Sequence, residues 1–416
     1  MSDARELIDA CVHCGFCLPS CPTYALWGQE PDSPRGRIYL MKSVLTARTP
    51  LTETVVQHFD ACLGCVACVP ACPSGVQYGS LIEWMRSEIE QQHQRPLSER
   101  AFRAALFRVL PYPGVLRALL LPVALLRRLL EAVVPGRLRA MLALLPPVHV
   151  TSLFARVPSS TPAEGERRLT VGLLAGCVQR VTTPGINEAA REVLAAEGCE
   201  VRVPGGQGCC GALSRHAGRL EEARAFARRT IAAFEAANVD RVVVTAAGCG
   251  SSMKEYGELL EHDAAWRDRA AAFSARVRDV SELLVELGAP RAPRHPVHAI
   301  VAYHDACHLN HAQGIQRQPR ELLRQIPGLE LREIPESGMC CGSAGIYNLV
   351  QPDAAAALGE RKARHVLSVA PEIIATANPG CAFQIAAACE RLTGTTPSVM
   401  HPIELVAQSI RGGRTA

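Results

Sequence analysis

From residue 169 onward, short apolar runs alternate with amphipathic stretches, and the alternation is played through twice. Leu169–Ala175, Cys199–Val203 and Arg241–Thr245 read as strands, with helices over Ile186–Glu197 and Leu220–Ala236 between them. The second copy predicts strands over Ala299–Tyr303, Leu329–Ile334 and Glu372–Ala375, with helices near Pro319–Gln325 and over Asp353–Val366. Strands alternating with helices imply right-handed crossovers and parallel strands. Ahead of them, Ser33 as N-cap and Pro34 at the first helical position open a helix whose Ile38, Met41 and Leu45 share an apolar face. Leu81–Gln94 reads as a further helix. Residues 101–150 are rich in Leu, Ala and Arg and are broken by Pro111, Pro113, Pro122, Pro135 and Pro146. The longest uncharged run in the helical core of this block, Ala118–Leu126, is nine residues, and a membrane span needs about twenty. The polar stretch 155–167 reads as a linker.

Cysteine spacing adds chemistry to this outline. Cys11, Cys14, Cys17 and Cys21 follow C-x2-C-x2-C-x3-C-P, and Cys62, Cys65, Cys68 and Cys72 repeat it. This is the iron–sulfur run of bacterial two-cluster ferredoxins, in which the fourth cysteine ligates the other cluster. By that likeness Cys11, Cys14, Cys17 and Cys72 hold one [4Fe–4S] cluster, and Cys62, Cys65, Cys68 and Cys21 the second. Structural zinc prefers ligand pairs on separated knuckles, and a disulfide framework needs an oxidising compartment. His13, inside the first run, reads as a tuning or exposed side chain rather than a ligand.

The repeated α/β copies carry cysteines in register. Cys177, Cys209-Cys210 and Cys249 correspond to Cys307, Cys340-Cys341 and Cys381, at offsets 307−177=130, 340−209=131 and 381−249=132. Each follows the carboxyl end of a predicted strand, the edge where open α/β sheets bind ligands, so the four of each copy can converge. They are candidate ligands of further iron–sulfur clusters or of zinc, against the alternative of plain packed thiols. Cys199 and Cys389 have no counterparts and read as buried free thiols. Gly206-Gln-Gly208-Cys-Cys-Gly211 matches the dinucleotide fingerprint, but the second copy keeps only Cys-Cys-Gly, so nicotinamide binding is set aside.

Composition narrows the class. A chain of 416 residues suits about three domains. Its net charge of +4 and 5% aromatic content offer no nucleic-acid surface. The polar start Met1-Ser-Asp-Ala-Arg-Glu reads as no signal peptide, so eighteen cysteines point to metal rather than disulfides. In the 101–150 block seven arginines (103, 108, 117, 127, 128, 137, 139) face one acid, Glu131. Two readings follow: a basic surface lying on a membrane, or a docking face for partners and neighbouring domains.

With these motifs in order, the chain resembles the iron–sulfur subunits of bacterial glycolate oxidase. It is also similar to the third subunit of anaerobic glycerol-3-phosphate dehydrogenase and to heterodisulfide-reductase-like subunits. The likeness is carried by Ala10-Cys-Val-His-Cys-Gly-Phe-Cys17, Pro34-Arg-Gly-Arg-Ile-Tyr-Leu40, Gly248-Cys-Gly250 with Lys254-Glu-Tyr-Gly257, and Cys340-Cys-Gly-Ser-Ala-Gly-Ile-Tyr347. It is weakest over 100–165. The expected fold is multidomain α+β: a helical two-cluster ferredoxin domain (1–97), a helical connector and linker (98–167), and two α/β cysteine-rich domains with parallel strands (168–296 and 297–416). The resemblance implies an oxidoreductase subunit that carries electrons from FAD-containing partner subunits, where glycolate becomes glyoxylate, to a membrane quinone. It also implies a cytoplasmic location, peripheral on the inner membrane. No catalytic acid–base pair or flavin motif is seen in this chain, so substrate oxidation is assigned to the partners. Heterodisulfide reductases close their cysteine-rich domains with C-x-x-C, whereas Ser252 and Gln384 stand at those positions here. That departure counts against disulfide reduction by the repeats, which remains the catalytic alternative, as glycerol-3-phosphate remains the alternative substrate.

Overall fold

The computed structural model describes residues 4–134, 136–146 and 148–412. Ser33 caps the Pro34–Leu45 helix, its hydroxyl accepting from the Gly36 N–H at 3.0 Å. Ile38 and Met41 are buried as expected, but Leu45 is 37% exposed. It stands in the last turn, just before the chain reverses through Ala47 at φ +54°. The Tyr78–Gln92 helix lays Leu81, Ile82, Met85 and Ile89 against Ile38, Met41, Val56 and Phe59, and these form the core of the N-terminal domain.

The first repeat holds strands β1 (Ser160–Thr161), β2 (Leu169–Leu173), β3 (Cys199–Arg202), β4 (Arg241–Val244) and β5 (Val277–Asp279), in the order β1-β3-β2-β4-β5. All pairs are parallel except β1 with β3. Ser160–Thr161, which the sequence reads as linker, is thus an edge strand: backbone pairing with β3 outweighs a composition that gives no strand signal. The second repeat holds β6 (Ala299–His304), β7 (Leu329–Glu333), β8 (Ile373–Thr376) and β9 (Ser398–Met400), all parallel, in the order β7-β6-β8-β9.

The two repeats share one core. Val171, Leu173, Val193 and Val201 of the first belong to the same buried cluster as Val301, Tyr303, Leu322 and Val406 of the second. The Pro402–Arg411 helix reaches back onto the Pro184–Ala196 helix, where Arg411 pairs with Glu192 across 219 positions of sequence. His401, which caps that helix, places its Nε2 2.8 Å from the Thr245 carbonyl beyond β4.

The connector forms helices Leu97–Val109, Pro113–Val133 and Gly136–Leu144. Pro122 lies within the second instead of ending it, and the helical conformation lapses at Leu126 (φ −126°). Pro135 falls outside the described residues. No single helix among the described residues is long and apolar enough to cross a membrane. Arg103, Arg127 and Arg137 are turned to internal partners: Asp60 at 3.5 Å, the Pro146 carbonyl at 2.9 Å and Glu99 at 2.5 Å. Meanwhile Leu119, Leu125, Leu126, Leu129 and Val133 stand exposed. Partners for three arginines leave a surface more apolar than the residue count suggests.

The ferredoxin domain is anchored on the first repeat by Glu83, which accepts from Arg215 at 2.7 Å and pairs with His216 at 3.1 Å. Burial alone would raise the Glu83 pKa, but Arg215 and His216 outweigh it and hold it at about 2. Gly218 (φ +80°) sits so close that a Cβ there would come within 2.4 Å of the Arg86 backbone.

Candidate metal centres

The two cysteine runs fold alike. His13 and Gly15 in the first, and Gly64 and Val66 in the second, all adopt positive φ (+56°, +89°, +64° and +51°) at matching positions. Left-handed residues turn successive backbone N–H groups to one side, which makes a concavity suited to negative charge. For His13 and Val66 this conformation is strained, and it persists only where the surroundings impose it.

These loops enclose two pockets of about 30 and 20 Å³. Cys11, Cys14, Cys17 and Cys72 line the larger; Cys21, Cys62 and Cys65 line the smaller; Cys68 touches both. Arg37, 1% exposed, sits behind the smaller pocket, donating to the His58 carbonyl at 2.7 Å and pairing with Asp32 at 3.3 Å. Burial pushes the Cys62 thiol up, yet Arg37 and Arg86, with donation from Gly64 N–H (3.4 Å) and Tyr78 hydroxyl (3.6 Å), bring it below the ordinary value. At Cys65 and Cys68 burial outweighs the backbone N–H groups that favour the thiolate, and both are raised. His13 is exposed, edge-on to Tyr39 at 6.3 Å.

In the repeats, the strand-end cysteines gather as sheet topology requires. Cys177 and Cys209 are 3.7 Å apart, sulfur to sulfur. Cys209 also bonds to Cys210 and Cys210 to Cys249; in the second repeat the contacts run Cys307–Cys340–Cys341–Cys381. The glycine of each Cys-Cys-Gly is left-handed, Gly211 at φ +83° and Gly342 at φ +90°. A Cβ on Gly342 would meet the Ala355 carbonyl at 2.7 Å, so only glycine lets the cysteine pair lie this close to the next helix. Cys199 and Cys389 are fully buried apart from these sets. Gln384 is fixed at both ends of its amide, donating to the Ala355 carbonyl (2.8 Å) and accepting from Asn348 (3.1 Å). It braces the fold and offers no free donor atom.

Both repeats and the connector enclose one cavity of about 730 Å³. Cys177, Cys209, Cys210, Cys249, Cys307, Cys340 and Cys381 reach its wall, as does Cys62 from the ferredoxin domain, while Leu116, Leu120 and Leu142 form the opposite side. Cys65 packs in one buried cluster with Cys307 and Cys340. Sequence reasoning passed over several polar residues here. His216 and His308 meet on the wall with ring centroids 4.8 Å apart and planes tilted by 59°, and His308 Nδ1 is 3.4 Å from the Cys307 sulfur. Burial holds the His308 pKa down at about 3, so the ring is neutral at neutral pH. His304, at the end of β6, lies against Cys341 and Cys381. The one available signal was its place three residues before Cys307, where the first copy has Leu174.

The donors gathered here are thiols and imidazoles, a set suited to iron–sulfur clusters or zinc. A family profile described as a 4Fe-4S dicluster domain matches residues 7–76. Another, described as a cysteine-rich domain, matches residues 171–254 and again 301–386. The chain is 38% identical to the probable glycolate oxidase iron-sulfur subunit of Bacillus subtilis (strain 168), over 98% of this chain and 95% of that protein. It is 39% identical to the glycolate oxidase iron-sulfur subunit of Escherichia coli (strain K12), with the same coverage. One subunit of the fumarate reductase (CoM/CoB) of Methanothermobacter marburgensis is 26% identical over 97% of this chain and 72% of that protein. The crystal structure of a hypothetical protein from Helicobacter pylori shares the fold, with a TM-score of 0.60 at 9% identity, covering 100% of this chain and 74% of that one. Fold and cysteines define an iron–sulfur protein that joins a [4Fe–4S] dicluster domain to paired cysteine-rich domains. Within that class, the chain belongs to the family of glycolate oxidase iron–sulfur subunits.

Proposed function

We propose that this chain is the electron-transfer subunit of a flavin-dependent glycolate-oxidising complex, passing electrons from FAD-containing partners toward a membrane quinone. Cys11, Cys14, Cys17 and Cys72 hold one [4Fe–4S] cluster and Cys62, Cys65, Cys68 and Cys21 the other. At least one repeat holds a further iron–sulfur centre through its four cysteines. Such clusters change by one electron without proton chemistry, with potentials set by charge, hydrogen bonds and burial. The chain's own contribution is placement and charge. Arg37 and Arg86 lower the pKa of the Cys62 thiol against the effect of burial, and the Gly64 N–H and Tyr78 hydroxyl donate to its sulfur.

The observation that carries this reading is that Cys65 shares one buried cluster with Cys307 and Cys340. It brings a ferredoxin ligand set and a repeat ligand set together with no intervening domain. The exposed leucines of the Pro113–Val133 helix rest on the cytoplasmic face of the membrane, and detergent rather than salt is expected to release the protein.

The test pairs Cys209→Ser/Cys210→Ser with Cys340→Ser/Cys341→Ser. Both variants are expected to assemble with the flavin subunits and keep both ferredoxin clusters, and substrate still bleaches the flavin. Delivery to quinone fails in at least one. Normal quinone turnover in both, and in the quadruple variant, makes the repeats scaffolding.

A further inference from the structure

Of the positions at which the repeats differ beside their cysteines, one combines burial with unpaired ring nitrogens. His304 ends β6, and the offset of 130 that aligns Cys307 with Cys177 puts Leu174 there in the first repeat. Leu174 is an ordinary core residue, packed with Val242, Val244 and Phe234. His304 is equally buried, at 1% exposure, yet both its ring nitrogens lack any hydrogen-bond partner. A neutral imidazole carries one donor and one acceptor, and leaving a buried polar atom unpaired costs about 1–3 kcal/mol. Leucine satisfies the first repeat at this site, so a strand end does not demand histidine.

A partner for that ring stands beside it. A His304 ring nitrogen and the sulfurs of Cys341 and Cys381 all lie within 4.8 Å of one another. Among the described residues no other trio of histidine, cysteine or carboxylate donors is as compact. Metal–sulfur and metal–nitrogen bonds of about 2.3 and 2.0–2.1 Å put two donors of one tetrahedral ion about 3.5–3.8 Å apart. The trio, within 4.8 Å of one another, shares a metal after closing by no more than about 1.3 Å. Thiolate with imidazole is also a donor mixture that iron accepts.

We propose that His304 is a ligand of the iron centre held by Cys341 and Cys381, so that the second repeat carries a mixed nitrogen–sulfur site and the first an all-thiolate one. This rests on the reading that the repeats bind iron. Its consequence is directional. A neutral imidazole makes a centre less negative than a thiolate does, and histidine ligation raises the potential of iron–sulfur centres. The second repeat, which shares a buried cluster with Cys65, is then the more oxidising of the two and draws electrons out of the ferredoxin domain.

The experiment uses the complex purified anaerobically from cells fed 15N-histidine. Pulsed electron paramagnetic resonance is applied to the iron signal that disappears in Cys340→Ser/Cys341→Ser. A strong 15N coupling is expected on that signal in the native chain. In His304→Leu, which copies Leu174, the coupling is expected to vanish and the midpoint potential of the signal to fall, with both ferredoxin signals unmoved. The native chain tells whether any histidine ligates this centre, and His304→Leu and His308→Leu, each first checked for a retained iron signal, tell which one. A repeat-two iron signal without 15N coupling overturns the proposal while sparing iron in the repeats. So does a coupling that survives His304→Leu and is lost in His308→Leu. If no iron signal depends on Cys340 and Cys341, the proposal and the iron reading of this repeat fall together.

Discussion

In the ferredoxin domain, eight thiols reach two pockets of about 20 and 30 Å³ from two runs of eleven residues each. In the repeats, four thiols per sheet come from strand ends as far apart as Cys307 and Cys381, and all but Cys341 face one cavity of about 730 Å³. The first arrangement is local: left-handed residues at fixed places wrap each run, and little room remains beside the thiols. The second is topological: parallel strands bring distant cysteines to one edge, and a large apolar space is left next to them. The ferredoxin pockets leave little space beside their thiols, although Cys14 of the first set is exposed. A centre in the repeats borders a space where another molecule can meet it.

The sharpest way to break this comparison is at the metal. Cys14→Ser is expected to remove one ferredoxin cluster, about four of the eight irons the doubled run implies, and to leave the repeats untouched. Iron and sulfide analysis with low-temperature spin resonance reads this, and two unchanged cluster signals defeat the ligand assignment. Next comes the joint between the regions. Glu83→Ala takes from Arg215, 4% exposed, the nearest of its three carboxylates and leaves Glu255 at 2.8 Å and Glu258 at 3.4 Å, which is expected to cost about 1.5–3 kcal/mol for the lost charged hydrogen bond. Urea unfolding followed at the cluster absorbance and at backbone amides checks it; a midpoint within error of the native chain means the two regions are held by other contacts.

Acid sharpens the contrast within the repeats. Burial lowers the pKa of His401 from 6.5 to about 4, so the folded chain keeps this ring neutral where the unfolded chain protonates it. The depressed group favours folding above pH 6.5, and stability is lost as pH falls from 6.5 toward 4. By pH 5 the loss is about 2 kcal/mol. Thermal melts at pH 7 and pH 5 should show this difference shrinking in His401→Asn, and an equal acid loss in the variant assigns it to other groups. The smallest effect belongs to the Ser33 cap: Ser33→Ala is expected to cost about 1 kcal/mol. Hydrogen exchange should register it along Pro34–Leu45 and not in the repeats.

Much of this was legible from residues because the signals are short-range. The Ser33-Pro34 start, the doubled C-x2-C-x2-C-x3-C runs and the Leu220–Ala236 helix all act within a few positions. What escaped depends on distant partners. Ser160–Thr161 becomes a strand only because β3 offers an edge. Pro122 is accommodated inside a helix that the cavity and its neighbours hold in place. The arginines of the connector look like a basic face until Asp60, Glu99 and the Pro146 carbonyl engage three of them. His304 carries no motif at all; its environment is made by Cys341 and Cys381, which arrive from two other strand ends.

The shared core of the repeats also governs the order in which the protein can be made. Domains fold as units while the chain emerges at about 5–20 residues per second, N-terminal parts first. The ferredoxin domain, whose ligands all lie before residue 73, can close around its clusters early. The first repeat cannot finish in the same way, because Ile403, Leu405 and Val406 complete its core and Arg411 supplies the partner of Glu192. Its four cysteines must therefore wait, reduced and incompletely buried, while more than a hundred further residues are translated. That interval leaves these thiols open to oxidation until the second repeat is made and the shared core is complete.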